Sequence, residues 1–433
     1  MSRPDADAVR RAAWATAEAI AAAAEPAGDG RTWQAEILVG VDGDDPLIGH
    51  GDVGPTLYDG TAGIALALAA AAVTVPDSAV GDRLARTARG AVATALAGGW
   101  AQLEDDRLGL FDGATGIALA AATTGRVLGE AALADDGRRL ADAVALRTAG
   151  IAELDLLSGL AGTALGLLAV AGVTGGAPPL EACSAAARRL VDRAETQVWG
   201  TAWPPAQDEA RAIATVAPPL LGLAHGTAGI ALVLAEIAAL TGDPPARATA
   251  LAACEYERAW YDADRVAWPD LREHDPSTEP AGWMSAWCHG AIGIGLCRLR
   301  MTALSDDPLL PLEAAAALQS ARDLVVSAGT ALRDGTPQDC SSCHGLSGTI
   351  ELLLAAHRAF GLPDHLHAAG RVATLLLEQR AHHGSWPCGL PRAGEIPTLM
   401  TGTSGIVLSL LAATGASPIP TPLLPGPYSM PRS

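Results

Sequence analysis

The sequence contains no lysine. All 29 of its basic residues are arginines, and they stand against 48 acidic residues, which gives a formal net charge of −19 at pH 7. Proteins that bind nucleic acids present a basic face to the phosphates, and no arginine cluster in this sequence provides one. The composition therefore argues against nucleic-acid binding, and we interpret the negative charge as a property that keeps the chain in solution.

Long apolar runs are also missing. A membrane-spanning helix needs about 20 consecutive apolar residues, and glycines interrupt the apolar runs of this sequence before that length. The first residues carry charges on both sides of a short apolar stretch and lack the cleavage site of a secretion signal. We therefore predict an ordinary helix at the N-terminus, no membrane span and a soluble protein in the cytoplasm.

Aromatic residues and cysteines are scarce. The chain is 49% hydrophobic but has only four tyrosines and two phenylalanines, and alanine and leucine fill most apolar positions. Because alanine and leucine are strong helix formers, the composition predicts an all-α protein. Seven cysteines in 433 residues are an odd number and do not make a disulfide framework, so we expect free thiols or metal ligands.

One pattern recurs seven times: a glycine, two other residues, a second glycine and then an apolar stretch. The first glycines of successive copies lie 46 to 67 residues apart, which leaves room for two helices in each repeat. The stretch after each glycine pair is apolar nearly all round and should be buried, whereas the intervening segments should face solvent on one side. The glycine pairs are Gly60 and Gly63, Gly113 and Gly116, Gly159 and Gly162, Gly226 and Gly229, Gly290 and Gly293, Gly345 and Gly348, and Gly402 and Gly405.

These repeats predict an (α/α)7 toroid, a double ring of helical hairpins that forms a single domain over residues 1–433. An open stack of hairpins would need polar capping repeats at both ends, whereas a closed ring does not. Glycines at the start of the inner helices let the backbone turn sharply where the helices crowd around the axis. We therefore expect all seven copies at one end of the barrel, and we interpret most of their glycines as packing positions.

Histidine occupies the position before the first glycine in three copies, as His225, His289 and His344. Two of these histidines directly follow a cysteine, Cys288 or Cys343. If equivalent positions converge at one end of the ring, two thiolates and an imidazole form a ligand set that suits zinc. We predict a Zn2+ ion held by Cys288, Cys343 and His344, with the open fourth position that is typical of a catalytic site.

Other assignments remain open at this stage. Cys340 and Cys343 form a CxxC motif, which allows a metal cluster that includes Cys340, or a redox pair. His289 is not needed as a ligand, and we expect it to support the site or to face the substrate. The remaining cysteines and histidines singled out here are interpreted as structural: Cys183, Cys254 and Cys297 on apolar helices, and His382, His383 and Cys388 in a loop before the seventh repeat.

Three aspartates lie near the glycine pairs. Asp59 and Asp112 directly precede the first glycine of the first two copies, where we expect them to cap the following helix. Asp155 stands four residues before Gly159. By position alone, Asp155 is as suitable for a cap as for a catalytic residue.

Together these motifs resemble the lanthionine synthetase C family, the LanC-like cyclases of lanthipeptide biosynthesis, over nearly the whole chain. The resemblance implies a seven-hairpin α-toroid that contains zinc. The family's Trp-Cys-x-Gly and Cys-His-Gly motifs place its zinc ligands at Cys288, Cys343 and His344. Its His-Gly-x-x-Gly motif, and its aspartate four residues before a Gly-x-x-Gly, place two mechanistic residues at His225 and Asp155.

Three segments resemble more specifically the cyclase domains of the fused two-function synthetases. They begin at Trp287, Trp386 and Pro397 and read WCHG, WPCGLP and PTLMTG. Many stand-alone cyclases instead have tyrosine at the position of His289. Because a dehydratase or kinase-lyase region precedes the cyclase in the fused enzymes and this sequence shows none, we expect either a separate partner protein or a domain of a longer protein.

The resemblance implies a lanthionine synthetase, an enzyme that adds a peptide cysteine to dehydroalanine or dehydrobutyrine and so forms lanthionine or methyllanthionine thioether rings. The substrate would be a dehydrated precursor peptide. Two alternatives stay open: a LanC-like enzyme that adds glutathione or another thiol to dehydrated residues, and a non-catalytic zinc-containing scaffold for a modifying partner. No motif specifies the peptide, the ring pattern, the oligomeric state, or an acid or base role for His225.

Overall fold

The structure is a computed structural model that describes residues 5–42, 45–204, 218–272, 282–390 and 394–426. Within these ranges the chain forms fourteen α-helices, numbered α1 to α14 along the sequence. Seven of them begin one residue after the first glycine of a repeat: α2 (Thr61–Thr74), α4 (Ala114–Leu128), α6 (Leu160–Thr174), α8 (Thr227–Thr241), α10 (Ala291–Met301), α12 (Leu346–Phe360) and α14 (Thr403–Ala413). The other seven are α1 (Ala6–Ala22), α3 (Ser78–Glu104), α5 (Ala131–Ala145), α7 (Leu180–Asp192), α9 (Pro244–Ala259), α11 (Leu310–Arg333) and α13 (Pro363–His383).

The helices that follow the glycine pairs form a closed inner ring. Each contacts the next one along the chain, and α14 contacts α2. Almost every residue of these helices is buried; in α6, for example, 13 residues from Leu160 to Val173 are buried. The helices are apolar all round because they have neighbours on nearly every side, which confirms the predicted inner ring.

The remaining helices form an outer ring with one buried face each. Helix α5 shows the pattern, since it buries only Gly137, Leu140, Ala141 and Val144. Helices α3, α5, α7, α9, α11 and α13 each pack on the inner helix that precedes them in the chain. The predicted (α/α)7 toroid is thereby confirmed.

Helix α1 completes the outer ring. It packs on α14 and also contacts α2, α3 and α13, so the N-terminal helix lies where the ring closes. Its buried residues Val9, Ala13, Ala17 and Ile20 recur every three to four positions and form one apolar stripe. The seventh hairpin is therefore made from the two ends of the fold, the last inner helix and the first helix of the chain.

Four antiparallel two-stranded ribbons depart from the all-α expectation. Each pairs two strands adjacent in the sequence: β1 (Glu25–Ala27) with β2 (Gly30–Thr32), β3 (Gln34–Asp42) with β4 (Asp45–Asp52), β5 (Glu195–Thr196) with β6 (Thr201–Ala202), and β7 (Pro269–Asp270) with β8 (Gly282–Trp283). All four lie in connections between helices, and the longest contains the β-branched run around Ile37 and Val39. Among the described helices, none is long and apolar enough to cross a membrane.

Candidate metal centre

Backbone hydrogen bonds join the seven loops before the inner helices into a closed ring. In each loop, the carbonyl oxygen two residues before the first glycine accepts an N–H from the neighbouring loop, with N···O distances of 2.8 to 3.2 Å. The bond from the Met400 N–H to the Tyr58 carbonyl, at 2.9 Å, closes the ring. All seven loops therefore meet at one end of the barrel. The seven carbonyls belong to Tyr58, Phe111, Leu157, Ala224, Cys288, Cys343 and Met400.

Loop carbonyls, not aspartates, satisfy the first N–H groups of the inner helices. In six of the seven helices, the first residue donates to a carbonyl seven positions earlier, as Thr61 does to Gly54 at 2.8 Å. The expectation that Asp59 and Asp112 cap their helices is wrong. Asp59 instead accepts a hydrogen bond from the Thr56 hydroxyl at 2.5 Å.

The second glycine of each repeat is a packing position, as expected. A Cβ atom on Gly116 or Gly162 would lie 1.8 Å from the carbonyl oxygen of Leu110 or Leu156. Such a contact is far below any van der Waals distance. Glycine is needed here because the loop folds back directly over the first turn of the helix.

Three predicted ligands converge at this end of the barrel. The ligand atoms of Cys288, Cys343 and His344 all lie within 4.8 Å of one another. Cys343 Sγ and His344 Nε2 are 3.5 Å apart, so the turn lets two adjacent side chains approach one point. Both thiols are buried, whereas His344 is exposed. The cluster therefore extends from the interior to the surface.

The loop that carries Cys288 follows a different path from the other six. Gly290 is the first glycine of its repeat, and its φ of +94° lies in the region that disfavours side chains. A Cβ atom there would lie 1.6 Å from the Met284 carbonyl oxygen. In this loop the ring donor is the N–H of Trp287, three residues before the first glycine, at 2.8 Å from the Cys343 carbonyl; the N–H groups of Leu156 and Leu223 donate from the same position in their loops, together with the residue that follows each.

The electrostatics of the cluster favour one ionised thiol. The hydrogen bond with Cys343 lowers the pKa of Cys288 well below its ordinary value, and His344 acts in the same direction. Burial raises the pKa of Cys343. Burial disfavours a charged His344, but the hydrogen bond with Cys288 outweighs it and raises the pKa of His344. Two thiols that share charge with an imidazole are a donor set that fits zinc, so the residues present suit the predicted metal.

His225 and Asp155 form a hydrogen-bonded pair beside the cluster. His225 Nδ1 and Asp155 Oδ2 are 2.6 Å apart. Asp155 Oδ1 accepts the backbone N–H groups of Ser158 and Gly159, at 2.8 and 2.9 Å. One oxygen of Asp155 therefore holds its own loop and the other orients His225, while helix α6 begins after Gly159 without a side-chain cap.

The charge state of His225 follows from this pair. Burial favours the neutral ring, but the hydrogen bond and the charge of Asp155 outweigh it and raise the pKa of His225. The side chain of His225 is 42% exposed, whereas that of Asp155 is 13% exposed. The result is an accessible imidazole that holds its proton to higher pH than a free histidine does.

A buried carboxylate on the outer ring supports the His225 loop. Glu257 Oε1 accepts the N–H of Gly222 at 2.9 Å and that of Ala228 at 3.1 Å, on either side of His225. Its other oxygen pairs with Arg298 at 2.9 Å, and both side chains are fully buried. Arg298 lies on α10, the helix after Cys288, so one ion pair fixes the two loops relative to each other.

His289 lies next to His225. The two rings are stacked with centroids 6.2 Å apart and an interplanar angle of 27°. His289 is buried, and burial lowers its pKa. It is therefore a neutral ring that forms one wall of the site next to the catalytic candidate.

Sequence reasoning missed one residue of the cluster, Tyr58. Its hydroxyl donates a hydrogen bond to Cys343 Sγ at 3.1 Å. Burial and the neighbouring Cys343 raise the pKa of Tyr58, so the phenol stays protonated. Its position gave the signal, because Tyr58 stands two residues before its glycine, just as Cys288 and Cys343 do.

The other cysteines are not members of the three-donor group found among the described residues. Cys340 is absent from the three-donor group found among the described residues, and its thiol donates to the Gln338 carbonyl at 3.5 Å. Burial raises the pKa of Cys388 to about 12. Cys183, Cys254 and Cys297 are core residues with 1% exposure or less.

The two histidines before the seventh repeat also differ from the expectation. His382 and His383 form the last turn of α13, whereas the sequence was interpreted as a loop there. Gly384, which ends the helix with a φ of +75°, is where the connection begins.

The fold and the site define a closed helical toroid with a thiol- and imidazole-lined candidate metal centre at one end. The chain belongs to the lanthionine synthetase C-like family, whose family model, described as "Lanthionine synthetase C-like protein", matches residues 51–424. No curated protein sequence matches the chain.

One solved structure shares the architecture. The structure described as "Nisin cyclase" aligns with a TM-score of 0.61 and 17% sequence identity, over 83% of this chain and 89% of that one. At this identity the match supports the toroid alone. A structure described as "UGL_D88N/dGlcA-Glc-Rha-Glc" aligns with a TM-score of only 0.40 and 15% identity, over 76% of this chain and 84% of that one.

Proposed function

We propose that the protein is a zinc-dependent lanthipeptide cyclase, which adds a cysteine thiolate of a dehydrated peptide to dehydroalanine or dehydrobutyrine and so forms a thioether ring. The observation that carries the proposal is the position of the donor cluster of Cys288, Cys343 and His344 beside the His225 and Asp155 pair. Family membership supports it, and the name of the structurally similar nisin cyclase is consistent with it.

Cys288, Cys343 and His344 would hold the zinc ion. When bound, zinc lowers the pKa of a coordinating thiol so that it is a thiolate, and therefore a nucleophile, at neutral pH. Cys288 and Cys343 are both buried, and as thiolates they would give the centre two negative charges. The exposed His344 leaves a side through which a peptide can approach.

His225 would supply the proton that completes the addition. A bond forms between the substrate sulfur and the β-carbon, the carbon–carbon π bond breaks, and the α-carbon takes up a proton. Because Nδ1 is bound to Asp155, Nε2 is the ring nitrogen available to the substrate. The raised pKa of His225 favours the protonated ring and hence the role of general acid.

The accessibility of the site favours an enzyme over a scaffold. A purely structural zinc site is usually closed by four protein ligands, whereas the donor group among the described residues has three members, one of them exposed. His225 is also exposed and lies outside that group. A scaffold would not need an exposed acid next to the metal.

Replacement of His225 by asparagine tests the proposal. We expect bound zinc to remain stoichiometric while cyclisation of a dehydrated, cysteine-containing peptide slows by about 100-fold or more. The exposed His367 on α13 gives a matched control, since its replacement by asparagine should change neither quantity. Equal loss of zinc and activity in His225→Asn would make His225 a ligand and contradict the proposed role.

The nucleophile is tested separately. A dehydrated peptide without cysteine should remain unchanged with the wild-type protein, with or without glutathione. A glutathione adduct would favour the alternative enzyme that adds a small thiol. Retained cyclisation after Cys343→Ala would favour the scaffold, with catalysis located elsewhere.

A separate dehydratase or kinase-lyase partner and a cytoplasmic location remain predictions from the sequence.

A further inference from the structure

The Tyr58 hydroxyl touches one of the two candidate metal thiols. It donates to Cys343 Sγ at 3.1 Å, from a side chain whose backbone is fixed twice in the ring of loops. The Tyr58 N–H donates to the Phe111 carbonyl at 2.8 Å, and the Tyr58 carbonyl accepts from Met400 at 2.9 Å. The closed ring of the toroid therefore holds this phenol on the thiol.

The two cysteines differ in this respect. Within the part of the chain that the structure describes, a hydroxyl donates to Cys343 and none donates to Cys288. A hydrogen bond to a thiolate draws electron density from the sulfur and makes it a weaker nucleophile. Groups that bind metal ligands from outside tune the metal in this way in many proteins.

The difference between Cys343 and Cys288 matters for the proposed reaction. If the proposed function holds, an electrophilic alkene lies beside several thiolates in every turnover. Addition of Cys343 itself would form a bond from its sulfur to the β-carbon, break the π bond and place a proton on the α-carbon. That product is an alkylated, inactive protein, so the protein's own sulfur must react more slowly than the substrate's.

We propose that Tyr58 is a positioning residue that acts through Cys343: its hydroxyl holds that thiolate in place and weakens it as a nucleophile, so that the dehydrated residue reacts with the substrate sulfur. The inference rests on the proposed function for the identity of the electrophile. The hydrogen bond and its effect on the metal centre do not depend on it.

The test uses the cobalt-substituted protein, because the sulfur-to-cobalt charge-transfer band reports the electron density on the thiolates. Tyr58→Phe keeps the ring and removes only the hydroxyl, so the band should move to lower energy. Tyr261→Phe removes a hydroxyl outside the cluster and should leave the band unchanged. An unchanged spectrum in Tyr58→Phe would overturn the proposal, whatever the activity.

A second variant covers the case in which Tyr58→Phe does not fold. Incorporation of 3-fluorotyrosine at position 58 keeps the hydroxyl and makes it a stronger donor. The charge-transfer band should then move to higher energy. A band that does not move, or moves to lower energy, would contradict the assigned hydrogen bond.

Mass spectrometry of the zinc protein after turnover tests whether the hydrogen bond from Tyr58 protects Cys343 from alkylation. Tyr58→Phe should accumulate a substrate adduct on Cys343, at least about tenfold more than the wild type, while Cys288 provides the internal reference. Absence of the adduct in a variant that still turns over would overturn the protective role. If the wild-type protein cyclises no peptide, the proposed function fails, and the cobalt spectrum still decides the role of Tyr58.

Discussion

The carboxylate of Asp155 connects the fold to the proposed chemistry at the scale of single residues. One oxygen binds the N–H groups of Ser158 and Gly159 and so fixes the loop before α6. The other binds His225 Nδ1, which orients the ring and holds its proton. The same side chain therefore sets the geometry and the pKa of the proposed acid.

Asp155→Asn is expected to move the pH profile of cyclisation. Asp155 raises the pKa of His225, so the protonated acid persists to higher pH, and the rate falls as the pH rises through that pKa. Without the carboxylate charge, the pKa of His225 should fall, because burial then favours the neutral ring and Asp155 no longer opposes it. The falling limb of kcat against pH should therefore shift to lower pH, with zinc content unchanged. If the falling limb of kcat against pH stayed at the same pH in Asp155→Asn, the role of His225 as general acid would be contradicted.

The residues of the site differ in how visible they are in the sequence. Cys288, Cys343 and His344 are visible because cysteine and histidine next to a repeated glycine are rare and specific. Tyr58 is less visible, although it has the same position in its repeat as Cys288 and Cys343, because its contact with Cys343 bridges two loops far apart in the chain. The failed capping role of Asp59 has a similar cause, since the competing carbonyl of Gly54 belongs to a loop path that only the fold defines.

Each inner helix depends on the loop that folds back over its first turn. The loop carbonyls satisfy the helix N–H groups, and the loops bond to one another around the ring. The second glycine of each repeat permits this contact, because any side chain would meet a carbonyl oxygen. The site residues are thus carried on loops that the helices themselves hold rigid.

Gly116→Ala tests this arrangement. Alanine normally stabilises a helix interior by up to about 1 kcal/mol relative to glycine, but its Cβ would lie 1.8 Å from the Leu110 carbonyl oxygen. Because overpacking costs typically about 1–3 kcal/mol, we expect a clear net loss in the free energy of unfolding. Gly150→Ala, where the Cβ would meet nothing within 4 Å, is the control. If the two variants were equally stable, the close approach of the Leu110 carbonyl oxygen would not require glycine at position 116.

Helix boundaries were predictable because the glycine pair marks the start of every inner helix. The ribbons were not, although β3 has nine residues and β4 has eight, because these strands lie in a connection between helices and pair only with each other. Their β-branched residues are too few to outweigh a composition dominated by alanine and leucine. The two strands follow one another directly in the sequence and pair from Gln34 with Asp52 to Asp42 with Asp45.

The whole molecule depends on one closure between distant parts of the chain. Helix α1 packs on α14, and the last described segment reaches back toward the site, where the Leu423 carbonyl accepts the Trp287 indole N–H at 2.9 Å. Trp287 also packs edge-on against Phe111, with centroids 4.8 Å apart, beneath the ring of loops. The repeat predicted a closed ring, but repeat spacing alone does not reveal that the first helix completes the last hairpin.

Ala17→Asp is expected to destabilise the entire toroid. Ala17 is fully buried where α1 meets the ring, and an unpaired buried charge costs several kcal/mol. If residues 1–433 form the single domain predicted from the sequence, hydrogen exchange should increase equally in α1 and in α8, on the far side of the ring. Ala15→Asp, at an exposed position of the same helix, is the control. Increased exchange confined to α1 would contradict a single cooperative unit.

Metal analysis of the wild-type protein and of Cys288→Ala tests the central claim most directly. The account predicts one zinc ion per wild-type chain and its loss in the variant, because Cys288 is one of three donors within 4.8 Å of one another. Cys254→Ala, which removes a buried thiol outside the cluster, should keep the metal. A wild-type protein that binds no zinc, or a Cys288→Ala variant that binds it as tightly, would contradict the account.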